Sequence, residues 1–287
     1  MTVIEYTVIP DSDNDYNLQL ELLASFREQT GVEVKLTRLG WSNAWQELIN
    51  ISTQGQGADI SHVGSSWVSS LVSMNSLRPI PPHIITKIGG EESFVHSAWE
   101  SMVMDEHRHA WAIPLSAYTY AVAYRRDLLQ KAGLDGAAAF ATPSAFEETI
   151  CRLEELNFVE NTWLMPYIPF PYNDFVHTAA SWIWSSGGQL IDNRGKQVLF
   201  DSPATLAGLK SYFELLRRQA NVEAIGADSC MRSLLQGKSA AVLADGRTIL
   251  AHLQEVTPDI GVAGLLSIPW SGGGNLVIWR HTYGYPD

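Results

Sequence analysis

The alternation of apolar and polar positions in the first part of the chain predicts a parallel α/β sheet. Residues 3–9, 32–36 and 59–63 are short apolar stretches with strand character, and residues 18–26 and 45–52 between them repeat apolar side chains at helical spacing. This βαβαβ order is typical of parallel strands joined by crossover helices. In such sheets ligands bind beyond the carboxyl ends of the strands, so we expect functional residues there.

Polar and aromatic residues follow each of these three predicted strands. They are Asp11 and Ser12 after the first, Gly40 and Trp41 after the second, and Ser65, Ser66 and Trp67 after the third. Indole and phenol rings cover the apolar C–H faces of sugars, while Asp, Asn and Arg side chains pair with sugar hydroxyls. The candidate stacking rings are Trp41, Trp67, Tyr118, Trp182 and Trp184.

Two of these candidate rings lie close together in one predicted helix. Trp182 and Trp184 are two positions apart and cannot face the same way, so we expect one of them in the core. Trp99 and Trp163 are assigned to packing.

The centre of the chain predicts a second lobe in which helices dominate. Predicted strands cover 111–114, 118–124, 240–244, 260–269 and 276–279, and predicted helices cover 126–133, a segment starting at Thr142-Pro143, 174–186 and 201–219. The domain prediction places lobe 1 at residues 1–118, a hinge strand at 119–127, lobe 2 at 128–259 and a return into lobe 1 at 260–287.

Composition narrows the class of partner. Charged residues are 17% of the chain and the net charge is −12, which argues against nucleic acid and anionic membranes as partners. Cys151 and Cys230 are predicted to be free thiols. No stretch approaches the length of a transmembrane helix, and the N-terminus lacks the features of a signal peptide. Either a leader was removed and Met1 added, or the protein is cytoplasmic.

The motifs that usually accompany catalysis are weak. Residues 64–67 (Gly-Ser-Ser-Trp) lack the second glycine of a nucleophile elbow, and the glycines at 272–274 are not followed by Lys and Ser or Thr as in a phosphate-binding loop. His107 and His109 suggest a solvated turn rather than a metal site. Paired acidic residues such as Glu147-Glu148 suggest solvated helix faces. We therefore predict no catalytic residues, no metal and no cofactor.

The order of several short segments resembles the family 1 extracellular solute-binding proteins of ABC transporters, the carbohydrate-binding relatives of maltose-binding protein. The segments are FREQTGVEV at 26–34, GADI at 57–60, LRPI at 77–80, WAIP at 111–114, YRRDLL at 124–129, AGL at 132–134, SGG at 186–188, FDSP at 200–203, QGKSA at 236–240 and DG at 245–246. Each segment is weak alone, but their shared order covers essentially the whole chain.

This resemblance implies a two-lobed, type II periplasmic-binding-protein-like α/β fold with a ligand cleft between lobes joined by hinge strands. It implies a monomeric receptor, periplasmic or extracellular, that captures a sugar by lobe closure and delivers it to the permease of an ABC importer. The family's ligand positions correspond to Asp11, Ser12, Ser66, Trp67, Tyr118, Asn173, Asp174, Asp245, Gly246, Arg247, Gly274 and Asn275.

Two departures from the family pattern leave alternatives open. Many relatives carry a sugar-stacking tryptophan where this chain has Arg247-Thr248, and the chain stops at Asp287, where relatives continue. The resemblance therefore implies a truncated second lobe of lower stability. The alternatives are a ligand-sensing module of an intracellular regulatory protein, a binder of a polyamine, amino-acid-like compound or metal chelate, and a carbohydrate-active enzyme.

Overall fold

The structure is a computed structural model that describes residues 3–104, 108–167, 175–192, 196–219, 225–252 and 258–282. The chain divides into two compact units. Unit 1 comprises Met1–Ala117 and Ser271–Asp287, and unit 2 comprises Tyr118–Trp270. Strands and helices alternate in both units, which confirms the α/β class predicted from the sequence.

Unit 1 is built on a four-stranded sheet. Its elements are β1 (Val3–Val8), α1 (Asp13–Thr30), β2 (Glu33–Arg38), α2 (Trp41–Gln54), β3 (Ile60–Gly64), α3 (Val68–Ser73), α4 (Pro82–Lys87), α5 (His96–Glu100), the first part of β4 (Ile113–Arg125) and β8 (Ser271–Ile278). Strand β1 pairs in parallel with β2 and β3, and β8 pairs antiparallel with β3. The predicted βαβαβ unit is therefore confirmed, and β8 adds a fourth strand with Gly274 opposite Gly64.

Helix α1 is where the sequence pattern predicts it, but its apolar stripe is not buried. Ser12 caps the helix by accepting the Asp15 N–H, and Gly31 ends it in the left-handed region. None of its residues is buried, and Leu18, Leu22 and Phe26 are 51%, 61% and 41% exposed. The periodicity predicts the helix correctly, whereas no element in the described part of the chain covers the stripe.

Unit 2 contains the remaining elements. These are the second part of β4, α6 (Arg126–Lys131), α7 (Gly136–Ala139), α8 (Pro143–Leu156), β5 (Asn161–Leu164), α9 (Phe175–Ser185), α10 (Pro203–Arg217), α11 (Ala227–Leu235), β6 (Ser239–Asp245), α12 (Gly246–Ala251) and β7 (Ile260–Gly264). Strand β4 lies between β6 and β7, antiparallel to both, and β5 runs parallel to β6. The core around Trp163, Phe146 and Tyr212 lies against this sheet.

Three boundaries differ from the sequence prediction. The separate strands predicted at 111–114 and 118–124 form one strand, β4. Residues 260–270 were predicted to return to lobe 1, but they belong to unit 2, because β7 pairs with β4. Strand β8 begins at Ser271 and includes the three glycines, and a Cβ at Gly273 would collide with the Ser116 carbonyl.

Both cysteines are free, as predicted. Cys151 in α8 is half-buried, and Cys230 in α11 is buried, which raises its thiol pKa to about 12. In the described segments, no helix has the length and apolar character needed to cross a bilayer.

Candidate functional site

A group of tryptophans lies at one edge of the unit 1 sheet, and we call it the tryptophan patch. Its members are Asp11, Trp41, Trp45, His62 and Trp67. Asp11 follows β1, Trp41 begins α2 just after β2, and Trp67 closes the turn after β3. Because β1, β2 and β3 are parallel, their carboxyl ends meet at the same edge. The strand order thus brings together residues that are far apart in the sequence.

The Trp67 indole contacts both of the other indoles of the tryptophan patch. The ring of Trp67 lies 5.6 Å from Trp41 and 5.3 Å from Trp45, with interplanar angles of 66° and 53°. Trp41 is 43% exposed and Trp45 is 38% exposed, whereas Trp67 is half-buried between them. The indole N–H of Trp41 points to Asp11 Oδ1 at 3.4 Å. The patch therefore combines exposed ring surface with a carboxylate acceptor.

His62 supports the base of this patch. It is 8% exposed, and its Nδ1 accepts the Ile9 N–H at 3.3 Å, so in the neutral ring Nε2 carries the proton. Its ring meets Trp41 edge-on at 6.3 Å. On the neighbouring strand a Cβ at Gly274 would collide with the His62 ring, so only glycine fits there.

The other unit 1 residues predicted for the site have varied surroundings. Ser66 is exposed in the turn after β3, and Ser12 is exposed with its hydroxyl engaged in capping α1. Gly274 is buried and donates its N–H to Ser116 Oγ at 3.0 Å. Asn275 is 1% exposed, and its Nδ2 has no partner among the described residues. Gly274 and Asn275 are therefore supporting residues rather than exposed contacts.

Unit 2 carries a second aromatic group, which we call the tyrosine patch. Its members are Tyr118, Tyr120, His177, Arg247 and Trp270. Tyr118 and Tyr120 are two apart on β4 and share a face. The Trp270 ring lies 5.6 Å from Tyr118 and 5.8 Å from Tyr120, and His177 stacks on it at 4.5 Å and 16°. Half-buried rings from β4, from α9 and from the segment just before β8 therefore converge here.

Arg247 is held over this patch by Asp245. The Asp245 carboxylate caps α12 by accepting the N–H groups of Arg247 and Thr248 at 3.0 and 3.1 Å, and it also accepts the Thr248 hydroxyl. The Arg247 Nε lies 3.3 Å from Asp245 Oδ1, and its guanidinium lies 3.9 Å from the centre of the Tyr118 ring. Asp245, which the sequence predicts as a solute contact, is 8% exposed and positions Arg247, with Gly246 as the first residue of α12.

Trp270 is anchored through its backbone. Its N–H donates to Ser181 Oγ at 2.9 Å, and its carbonyl accepts the Thr119 hydroxyl at 2.7 Å. Five residues of the two patches are not among those predicted from the sequence: Trp45, His62, Tyr120, His177 and Trp270. For Tyr120 the signal was its spacing of two from Tyr118 within a strand. For Trp270 it was a position directly before Ser271 and the glycines.

The two tryptophans of α9 differ in burial. Trp182 is fully buried, with its ring 5.6 Å from Phe146 and 5.4 Å from Tyr212. It is a core residue, which corrects its assignment as a ligand contact and agrees with the expectation that one of the two is buried. Trp184 is half-buried. The predicted contacts Asn173 and Asp174 lie outside the described residues, as does His107. Trp99 and Trp163 are buried packing residues, as predicted.

No cluster of three or more His, Cys, Asp or Glu side chains that could hold a metal ion occurs in the segments that the structure describes.

Comparison with known proteins gives one family and one fold. The sequence model of the family described as "Bacterial extracellular solute-binding protein" matches residues 11–283. A binding protein of Brucella abortus (strain 2308) is 22% identical over 265 residues, which are 91% of this chain and 60% of that protein. The maltotriose-binding protein of Pyrococcus abyssi is 24% identical over 80% of this chain and 46% of its own length. The chain therefore spans about half to 60% of the length of these relatives.

Solved structures share the fold at low identity. The sugar-binding protein MalE from Xanthomonas citri superposes with a TM-score of 0.78 and 18% identity, covering 98% of this chain and 72% of its own.

Proposed function

Because the chain belongs to the bacterial extracellular solute-binding protein family, we propose that it is a receptor that captures a carbohydrate outside the cytoplasm and delivers it to the permease of an ABC importer. The family consists of binding proteins rather than enzymes. The Pyrococcus abyssi relative, which binds maltotriose, supports a carbohydrate as the solute.

The observation that carries the proposal is the exposed indole of Trp41 beside the Asp11 carboxylate. A pyranose ring has an apolar face for stacking on an indole and equatorial hydroxyls that donate to a carboxylate. Trp41 and Asp11 provide both features in one place. The indole N–H of Trp41 is directed to Asp11 Oδ1 at 3.4 Å, and 43% of Trp41 stays exposed.

The tyrosine patch supports the same class of solute. Trp270, Tyr118 and Tyr120 supply ring surface, and Arg247 supplies hydrogen-bond donors at a position fixed by Asp245. Planar guanidinium donors pair well with vicinal hydroxyl or carboxylate oxygens. Either patch alone offers both an apolar face and a polar edge.

A ligand screen followed by a matched pair of variants tests the proposal. Thermal unfolding is followed with mono- and oligosaccharides, polyamines and amino acids. A ligand present at 100 times its dissociation constant stabilises the folded state by about 2.7 kcal/mol. Stabilisation by a sugar supports the proposal, whereas stabilisation by polyamines or amino acids alone contradicts it.

Isothermal titration calorimetry with the stabilising sugar then compares Trp41→Ala with Phe26→Ala. Phe26 is 41% exposed, close to the 43% of Trp41, and lies in the last turns of α1. Loss of an aromatic stacking partner is worth about 0.5–1.5 kcal/mol beyond area burial, so Trp41→Ala should weaken binding by about tenfold. Phe26→Ala should leave the affinity unchanged. Equal affinities for the two variants would rule out Trp41 as a sugar contact.

A further inference from the structure

Unit 1 has a second concave surface, which we call the arginine groove. It has a volume of about 410 Å³, and Arg78, Arg280, Trp111 and Thr282 are among the residues that line it. It lies beyond the end of β8, whereas Gly274 of the same strand supports the tryptophan patch. Arg280 lies six positions after Gly274, and at about 3.3 Å per position along a strand the two surfaces are about 20 Å apart.

A short antiparallel ladder fixes the two arginines of the groove. Leu77 and Trp279 form an isolated bridge, and the Arg78 N–H donates to the Ile278 carbonyl at 2.9 Å. In this register Arg78 and Arg280 are diagonal neighbours on one face, with Cα atoms about 7–8 Å apart. The opposite face carries Leu77 and Trp279, which are 2% and 0% exposed. The alternation of the strands therefore places both guanidiniums on the outer face.

Backbone carbonyl groups hold both guanidiniums in place. Arg78 Nη1 donates to the Thr282 carbonyl at 2.9 Å, and Arg280 Nη1 donates to the Asn75 carbonyl at 3.5 Å. In the described part of the chain neither arginine forms an ion pair with a carboxylate. Each guanidinium has five N–H donors, so several remain for a ligand. Two neighbouring arginines without a carboxylate partner among the described residues are notable in a chain with a net charge of −12.

An apolar wall adjoins these cations. The Trp111 side chain is half-buried and lines the groove together with Pro79. We propose that the arginine groove binds a small organic anion. Its carboxylate or phosphate group bridges Arg78 and Arg280, and its carbon skeleton packs on Trp111. Guanidiniums favour such oxyanions because their planar N–H pairs match carboxylate and phosphate geometry.

Calorimetric titration of the full chain tests this assignment with three probes: inorganic phosphate, phenyl phosphate and citrate. Titrations are run at fixed ionic strength, with sodium chloride as the blank. We expect binding of phenyl phosphate at least threefold tighter than that of inorganic phosphate, because only the former reaches the indole. Equal affinities for these two probes would overturn the role of Trp111.

Three arginine variants locate the site. Arg280→Gln and Arg78→Lys should each weaken phenyl phosphate binding tenfold or more, and the lysine variant keeps the charge while losing the planar pair of donors. Arg217→Ala, at an exposed position in α10 of unit 2, is the matched control and should bind like the wild type. Far-UV circular dichroism checks that each variant is folded. Absence of binding by the wild-type chain at millimolar concentrations, or binding that survives both groove substitutions, would overturn the proposal.

Discussion

Gly208 is the position where local helix propensity and tertiary packing make opposite predictions. It lies inside α10, where replacing glycine by alanine normally stabilises a helix by about 1 kcal/mol. The structure opposes this gain, because an alanine Cβ at this position would lie 2.6 Å from the Trp182 carbonyl oxygen and 2.7 Å from Ile183 Cα. Both obstacles are backbone atoms of α9, so no side-chain rotation relieves them.

The size of the effect follows from these distances. Carbon atoms pack at about 3.5–4.0 Å, so α9 would have to move away by roughly 1 Å. Overpacking of a filled core costs about 1–3 kcal/mol, and rigid backbone obstacles place Gly208→Ala at the upper end. After subtracting the helix propensity gain, we expect a net destabilisation of about 2 kcal/mol. For a chain of this size that lowers the melting temperature by about 4–8 °C.

The same movement should reach the tyrosine patch. Helix α9 carries Ser181, whose hydroxyl accepts the Trp270 N–H, and His177, which stacks on the Trp270 ring. Gly208→Ala should therefore weaken binding of the solute as well as stability.

Urea unfolding of Gly208→Ala measures the effect, with Gly264→Ala as the control in the same unit. No heavy atom lies within 4 Å of the Cβ position at Gly264, so alanine there should stabilise by about 0.4–1 kcal/mol through the unfolded state. A Gly208→Ala variant more stable than the wild type would refute the packing argument, because propensity alone would then account for the result.

Three further predictions concern stability and reactivity. Trp279→Phe removes the indole N–H that donates to Ser61 Oγ at 2.7 Å in the core of unit 1, and should cost about 1–3 kcal/mol in urea unfolding. A hydrogen bond from Arg125 holds the pKa of Asp127 below its usual range, so this pair stabilises the fold above about pH 4 and the contribution is lost as the pH falls through the lowered value. In Asp127→Asn the free energy of unfolding should fall less steeply at acid pH than in the wild type, by less than about 1 kcal/mol, because the pair is partly exposed. An acid dependence identical to that of the wild type would contradict this. Burial raises the pKa of Cys230 to about 12, so a thiol reagent at pH 8 should modify Cys230 only after urea unfolds the chain, as peptide mapping can show.

The βαβαβ part of the fold was predictable because its signals are local. Strands β1 to β3 alternate with amphipathic helices, and parallel pairing follows from the crossover rule. The limits of β4 were not predictable, because Pro114 and Ser116 interrupt its apolar pattern. The sequence predicts this strand only from residue 276, after the glycines that β8 includes. In the structure, the absence of a side chain at Gly273 lets β8 pass close to Ser116.

The tryptophan patch shows which part of a site the sequence can predict. Asp11, Trp41 and Trp67 follow three successive parallel strands, so topology alone places them at one edge. The helical spacing over residues 45–52 predicts α2 correctly, and Trp45 and Leu48 both lie in it. The difference is that Leu48 is fully buried, whereas Trp45 lies near the start of α2, where it contacts Trp67 and is 38% exposed. Such a difference between two positions of one helical face depends on tertiary placement.

The tyrosine patch combines aromatic ring surface with a cation, and the two come from separate parts of unit 2. Asp245 caps α12 and pairs with Arg247, whose guanidinium covers one side of the Tyr118 ring. The indole comes from Trp270, a residue distant in sequence whose backbone carbonyl and N–H are hydrogen-bonded to Thr119 of β4 and Ser181 of α9. Ring surface and cation are thus supplied by separate elements. Replacing Trp270 should therefore reduce stacking with the solute, whereas replacing Arg247 should change which polar groups the solute must carry.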